Sequence, residues 1–266
     1  MAIYTRQNGT MEYLVAEGIS VPHAFTTRRG GVSEGYLASL NLGMNRGDDP
    51  EKVTENYARL ANALGFEGEK LVLAHQVHGD AVRSVTAADY RGLDHRAYPA
   101  CDGLVTNTPG VTLAVFTADC TPILLHDPVT GAVGAVHAGW RGTAADIAGK
   151  AVQKMAAEFG CRPGDIRAAI GPNIGPCCFE TDGDVPAALR EAFGSAVEEG
   201  VRTAGEKFYV NLKTINALAL RRAGVEQIEI SPECTMCDPE KYWSHRYTRG
   251  IRGSQGALIT CKGGLL

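Results

Sequence analysis

Side chains able to bind a soft metal stand at the ends of apolar runs that lie far apart in the sequence. Cys120 lies in TADCTPILL, His137 in VHAGWRG, and His75 and His78 in HQVHGD. Thiolate and imidazole are common zinc ligands, and three of them with a fourth position open make the donor set of a catalytic site. A structural zinc knuckle takes ligands about two to four residues apart. Here tens of residues intervene, so only a folded core can bring them together. That pattern points to an active site.

The strand period adds a constraint. If HQVHGD is extended, His75 and His78 point to opposite faces, and only one of them can join Cys120 and His137. Periodicity does not choose between them. Asp119 would face away from Cys120 in a continuing strand, where it can fix a ligand or cap a turn. Trp140 and Arg141 follow His137 where the chain turns into a helix. There Arg141 and the backbone N–H groups would favour an anion such as phosphate; the alternative is a packing anchor beside a solvated charge. TTRRGGVS offers Arg28 and Arg29 before a Gly-Gly turn, a second candidate anion loop. It lacks the GxxxxGK[ST] pattern, which argues against nucleoside-triphosphate chemistry.

The elements that must position these groups mix hairpins with helices. GDDPEKVTENYARLANALG predicts a helix with Asp49 as N-cap, Pro50 in its first position and Gly65 at its end. KLVLAHQVHGDAVRSV predicts two strands around a turn. GVTLAVFTADCTPILLHDPVTGAVGAVHAGW predicts hairpin strands turning at DPVTG. TAADIAGKAVQKMAAEFG predicts a helix closed by Gly160, IRAAIGP a buried strand, DVPAALREAFG and NLKTINALALRRAG two further helices, and VEQIEIS a last strand. The order favours an α+β layered sandwich over a doubly wound sheet.

Composition narrows the function classes. The 266 residues, 44% hydrophobic, suffice for a substantial core. A net charge of -4 gives no footprint for nucleic acid or an anionic membrane. No apolar run approaches the roughly 20 residues that span a bilayer, and the first residues lack a secretory pattern. The expectation is a soluble cytoplasmic protein. Its eight cysteines are then expected to be reduced. Cys101, Cys161 and Cys261 read as buried thiols, adjacent Cys177 and Cys178 as unbridged, and Cys234-x-x-Cys237 as a weak metal signal standing alone.

At these motifs the chain resembles the YfiH family, also called the multicopper polyphenol oxidoreductase or laccase-domain family, which includes proteins called peptidoglycan editing factors. The matching stretches are TTRRGGVS, SLNLGMNRGDDPEKVTEN, QVHGDAV, TADCTPILLHD, VHAGWRGT, IGPNIGPCCFE and YWSHR, in family order from about residue 24 to 260. The resemblance implies one catalytic domain over residues 1–266, an α/β/β/α sandwich like the catalytic domain of cytotoxic necrotizing factor. It also implies a metal triad of His78, Cys120 and His137, which resolves the choice that alternation left open. Arg28, Asn41 and Arg141 fall on the family's recurrent polar positions and are expected to contact substrate or phosphate. Where many members read SYRRD and then TGR, this chain has SHRYT and RGSQG; Arg246 is kept, but Tyr247, Thr248 and Ser254 depart. A tail that shapes the pocket would then alter specificity.

The implied activity is zinc-dependent phosphorolysis of adenosine, inosine, guanosine and methylthioadenosine, with deamination of adenosine. The expected partners are purine nucleosides and phosphate, with no nucleic acid or membrane, in a monomer or small homo-oligomer. Three alternatives use the same residues. One is an amidase that removes L-serine from UDP-N-acetylmuramic acid, in one version with Cys120 as nucleophile and His137 as base. Another is a copper polyphenol oxidase, disfavoured because a multicopper centre needs about ten histidines and the chain has seven. The third is a binding protein stapled by zinc, which a chain of this size does not require.

Overall fold

The computed structural model describes residues 2–262. Strands β1 (Ile3–Asn8), β2 (Met11–Ala16) and β3 (His23–Thr26) precede helix α1 (Pro50–Leu64). Next come β4 (Leu71–Leu73), β5 (Val82–Ser84), β6 (Gly103–Thr106), β7 (Thr112–Thr117), β8 (Thr121–His126) and β9 (Val133–Ala138). Helices α2 (Trp140–Ala144) and α3 (Ile147–Phe159) lead to β10 (Arg167–Ile170), β11 (Glu180–Thr181) and α4 (Asp184–Phe193). The chain ends through β12 (Val201–Ala204), β13 (Lys207–Val210), α5 (Leu212–Arg222), β14 (Gln227–Ile230), α6 (His245–Thr248) and β15 (Gln255–Thr260).

These strands form a mixed α/β fold with several sheets. One six-stranded sheet has the order β1-β2-β3-β15-β7-β4 and the other β14-β10-β8-β9-β6-β5, while β11-β13-β12 make a small third sheet. The two large sheets pack face to face, α1 lies against the first, and α3 and α5 cover the outer face of the second. Alternation along β8 shows why its residues are apolar throughout. Leu124 joins the core between the sheets, whereas Ile123 and Leu125 join the core beneath the helices. A strand covered on both faces has no solvent side to mark with polar residues.

The local signals read from sequence hold for α1. Asp49 accepts from the Glu51 N–H, and Gly65 ends the helix with φ 72°, a left-handed conformation that glycine adopts at no steric cost. The turn at Asp127 also forms, its carboxylate accepting from the N–H groups of Val129 and Thr130, and β8 and β9 pair antiparallel. The two strands of KLVLAHQVHGDAVRSV part company: β4 joins the first sheet and β5 the second. His75 and His78 lie between them outside any strand, and His78 has φ 60°. Simple alternation therefore does not govern where these two imidazoles point.

Strand direction gathers the chemistry. β5, β6 and β8 begin at the end of the second sheet where β9, β10 and β14 finish. In the first sheet β4 and β7 finish where β15 begins. The loops at residues 74–81, 118–120, 139, 171–179, 231–244 and 249–254 connect these ends. Among the described residues, no helix is long and apolar enough to cross a membrane.

Candidate active site

Register sets the first two ligand-type side chains side by side. Thr121 pairs with Ala138 and Pro122 with His137, so Cys120 comes at the end of β8 against the end of β9. On the other side of β9, Gly103 pairs with Val136, and the His137 N–H donates to the Asp102 carbonyl at 2.7 Å. Asp102 and His137 are buried. The ligand atoms of His78, Cys120 and His137 lie within 4.8 Å of one another, with the two imidazole rings edge to face, 5.0 Å between centroids. His75 is elsewhere: its Nδ1 contacts the Tyr98 carbonyl at 2.8 Å.

Asp102 joins the two histidine segments. Its carboxylate accepts from the backbone N–H groups of Val77, His78 and Gly79 at 3.0, 3.1 and 2.8 Å. The left-handed residue at His78 bends the loop so that three successive N–H groups converge. The same carboxylate accepts from His137 Nδ1 at 2.7 Å. Burial alone would raise the Asp102 carboxyl, but the bonds from His137, Gly79 and Val77 hold it below the usual range. An unpaired buried carboxylate costs several kcal/mol, so these four donors decide that Asp102 stays charged.

Cys120 and His137 each favour the other's charged form. Burial opposes the thiolate, yet the charge of His137 and hydrogen bonds from His137 and His78 bring Cys120 down to about 6. Burial likewise opposes the imidazolium, yet Cys120 and Asp102 lift His137 to about 9. A neighbourhood that favours thiolate also favours a metal cation in the proton's place. With Nδ1 held by Asp102, Nε2 is the nitrogen of His137 left for a metal, the usual arrangement of carboxylate, histidine and ion. One thiolate and two imidazoles suit zinc or copper and not calcium or magnesium. Gly139 allows the close approach: a Cβ there would meet His78 Cδ2 at 3.2 Å, Cys120 Sγ at 3.5 Å and His137 Cε1 at 3.9 Å.

The three side chains open into a cavity of about 540 Å³ between the sheet ends. Gln76 holds one wall by exchanging two hydrogen bonds with the Phe116 backbone, at 2.7 and 2.6 Å. Asp119 holds another from a left-handed conformation with φ 88°. It accepts from Thr235 Oγ1 at 2.6 Å and the Arg246 N–H at 2.7 Å, while its carbonyl accepts from the Ile174 N–H at 2.9 Å. Arg46 and Arg252 line the cavity together. Burial, then repulsion from Arg46, brings Arg252 down to about 10, and its buried Nε has no hydrogen-bond partner. Two cations crowded in one wall prepare it for an anion.

The polar residues expected at the substrate are placed differently. The Arg28 guanidinium stacks on Trp243 at 3.8 Å and donates to the carbonyls of Ala38 and Pro239, away from the cavity wall. Arg29 pairs with Glu12, so TTRRGGVS leaves neither cation facing the cavity. Arg141 lies over Trp140 at 4.2 Å and lines a separate shallow groove with Glu191. Asn41 is buried behind the wall; its Oδ1 accepts from the N–H groups of Gly43 and Ser254, both of which line the cavity. The divergent tail does shape the cavity through His245, Arg246, Arg252 and Ser254, while Tyr247 is exposed. Asp102, Arg46 and Arg252 went unnoticed in the sequence.

Known proteins bear out this architecture. A family model described as multi-copper polyphenol oxidoreductase laccase matches residues 22–262. The purine nucleoside phosphorylase YlmD of Geobacillus stearothermophilus is 42% identical over 241 residues, 88% of each chain. A purine nucleoside phosphorylase of Deinococcus radiodurans is 41% identical over 247 residues, 92% of this chain and 91% of that one. The crystal structure of the hypothetical protein YfiH of Bacillus licheniformis, 35% identical, superposes with a TM-score of 0.91 over 97% of this chain and 99% of its own. The chain therefore belongs to the multi-copper polyphenol oxidoreductase laccase family, the family of YfiH.

Proposed function

We propose that this protein is a zinc-dependent purine nucleoside phosphorylase acting on adenosine, inosine, guanosine and methylthioadenosine, which also deaminates adenosine. The observation that carries the reading is that one cavity joins the Cys–His donor set to the cations Arg46 and Arg252. Relatives 41% and 42% identical are named purine nucleoside phosphorylases. We place the enzyme in the cytoplasm as one catalytic domain, in a monomer or small homo-oligomer.

In this reading His78, Cys120 and His137 hold the metal, and Asp102 fixes the tautomer of His137. Zinc is preferred because one thiolate and two imidazoles that leave a fourth position open would be the donor set of a catalytic zinc site. Bound zinc supplies Lewis acidity and makes water acidic enough to react near neutral pH. Arg46 and Arg252 hold phosphate, and Phe116 and Phe179 offer apolar surface to the purine. In phosphorolysis a phosphate oxygen bonds to the ribose anomeric carbon as the bond to the purine nitrogen breaks. The electron pair leaves with the base, and the proton the base takes up is the one the attacking phosphate gives up; His95 and His245, held by burial below the ordinary histidine range, line the wall as neutral imidazoles that can relay it. In deamination water adds at C6 and ammonia leaves. Asn41 acts indirectly, holding Gly43 and Ser254, and Arg28 and Arg141 are assigned packing roles. Chelation should remove both activities and zinc should restore them; turnover that survives complete metal removal would overturn the assignment.

One observation favours a second reading. Cys120, His137 and Asp102 stand in the order of nucleophile, base and orienting carboxylate. Such a triad fits the amidase that removes L-serine from UDP-N-acetylmuramic acid, and with it the implied likeness to the catalytic domain of cytotoxic necrotizing factor. It would work in chelator, which separates the two readings.

A further inference from the structure

Outside this cavity, four cysteines meet where two parallel strands end. β10 and β14 pair in parallel, and the pairing continues past their ends as a bridge between Asn173 and Cys234. The loops that follow bring Cys177 and Cys178 against Cys234 and Cys237, with all four sulfurs within 4.8 Å of one another. All four are free thiols. Cys237 Sγ is 3.5 Å from Cys177 Sγ and 3.4 Å from Cys178 Sγ. A tetrahedral zinc with Zn–S bonds of about 2.3 Å requires sulfurs about 3.8 Å apart.

We propose that Cys177, Cys178, Cys234 and Cys237 form a second, structural zinc site, closed by four thiolates and separate from the His78–Cys120–His137 centre. Binding would replace the thiol protons with four Zn–S bonds and release the protons to water.

The surroundings are those of a metal–thiolate site. The Gly175 N–H donates to Cys234 Sγ at 3.1 Å. A Cβ on Gly175 would stand 3.2 Å from Cys234 Cβ and 3.3 Å from Cys177 Sγ, so the bare backbone lets the loop close over the sulfurs. Beneath the cluster Lys213 is buried, donating to the carbonyls of Ser231 and Glu233 at 2.7 and 2.6 Å. Its ammonium lies close enough to Cys234, Glu233 and Cys177 to interact with their charges. A buried cation there offsets part of the double negative charge of four thiolates on one zinc. Soft sulfur ligands select zinc over hard cations such as magnesium.

The site would fasten the cavity wall. The two loops also carry Ile174 and Phe179, which line the cavity, and Thr235, which bonds Asp119. Zinc would thus pin both loops behind the residue next to Cys120.

The test is the zinc content of the full chain, purified without chelator. The expectation is two zinc ions per chain in the wild type and one in Cys120→Ala. A Cys177→Ser/Cys237→Ser double variant, altered only at exposed positions, should also hold one. Cobalt loaded into Cys120→Ala protein should give the intense sulfur-to-metal absorption of a tetrathiolate, whatever becomes of the nucleoside activity. A metal-free Cys120→Ala chain whose four thiols react freely, or are joined as disulfides, would overturn the proposal. Should the double variant fail to fold, the cobalt spectrum decides alone.

Discussion

The Asp102 carboxylate bonds Nδ1 of His137 at 2.7 Å while accepting the backbone N–H groups on either side of and at His78. One buried side chain therefore sets both the tautomer of one imidazole and the loop that carries the other. Asp102→Asn keeps the shape but removes the charge and puts an amide where only acceptors fit. We expect about a 10- to 100-fold loss in zinc affinity at this centre, read by competition with a chromogenic chelator. Unchanged affinity would deny Asp102 this role.

Gly139 tests the closeness of the three ligands. In Gly139→Ala the new methyl group meets the His78 ring at 3.2 Å, a contact that one side must yield. Phosphorolysis should fall about 10- to 100-fold, as displacements of less than an ångström do at reacting centres. The backbone angle of a φ near -68° suits alanine, so thermal stability should change little. A variant of full activity would mean that the ligands have room to spare.

Arg46 and Arg252 are expected to separate the two reactions. Each charge-assisted bond to phosphate contributes about 1.5–3 kcal/mol, so Arg46→Gln or Arg252→Gln should raise the KM for phosphate roughly 10- to 100-fold. Deamination, which uses water, should be far less affected. Equal losses in both reactions would place these cations at the nucleoside instead.

Acid stability should carry the mark of His126. Burial first, then Arg167, lowers this histidine to about 4, and its Nδ1 has no partner. Between that value and the ordinary 6.5 the unfolded chain binds a proton that the folded chain refuses. Stability is therefore complete above about 6.5 and declines as the pH falls to about 4, by about 3 kcal/mol in all. Urea unfolding at pH 7 and pH 5 should show the decline, and His126→Gln should reduce it. A slope identical in both proteins would assign the acid sensitivity elsewhere.

How much of this was legible in the sequence differs from residue to residue. Asp49, Pro50 and Gly65 marked α1 because caps act within a few residues. Cys120 and His137 stood out by chemical type, but alternation could not choose between His75 and His78, whose segment is not extended. Asp102 was silent because its role depends on the pairing of Gly103 with Val136, a relationship between strands. Arg46 and Arg252 meet only because β15 begins where the loop before α1 passes. The four cysteines appeared as an unrelated doublet and a lone CxxC until the parallel ends of β10 and β14 joined them.

The most direct measurement is mass-spectrometric product analysis of zinc-loaded protein incubated with adenosine, with and without phosphate. Adenine and ribose 1-phosphate are expected only when phosphate is present, inosine in both conditions, and none of these products from Cys120→Ala. No product from the wild type, or undiminished product from the Cys120 variant, would contradict it.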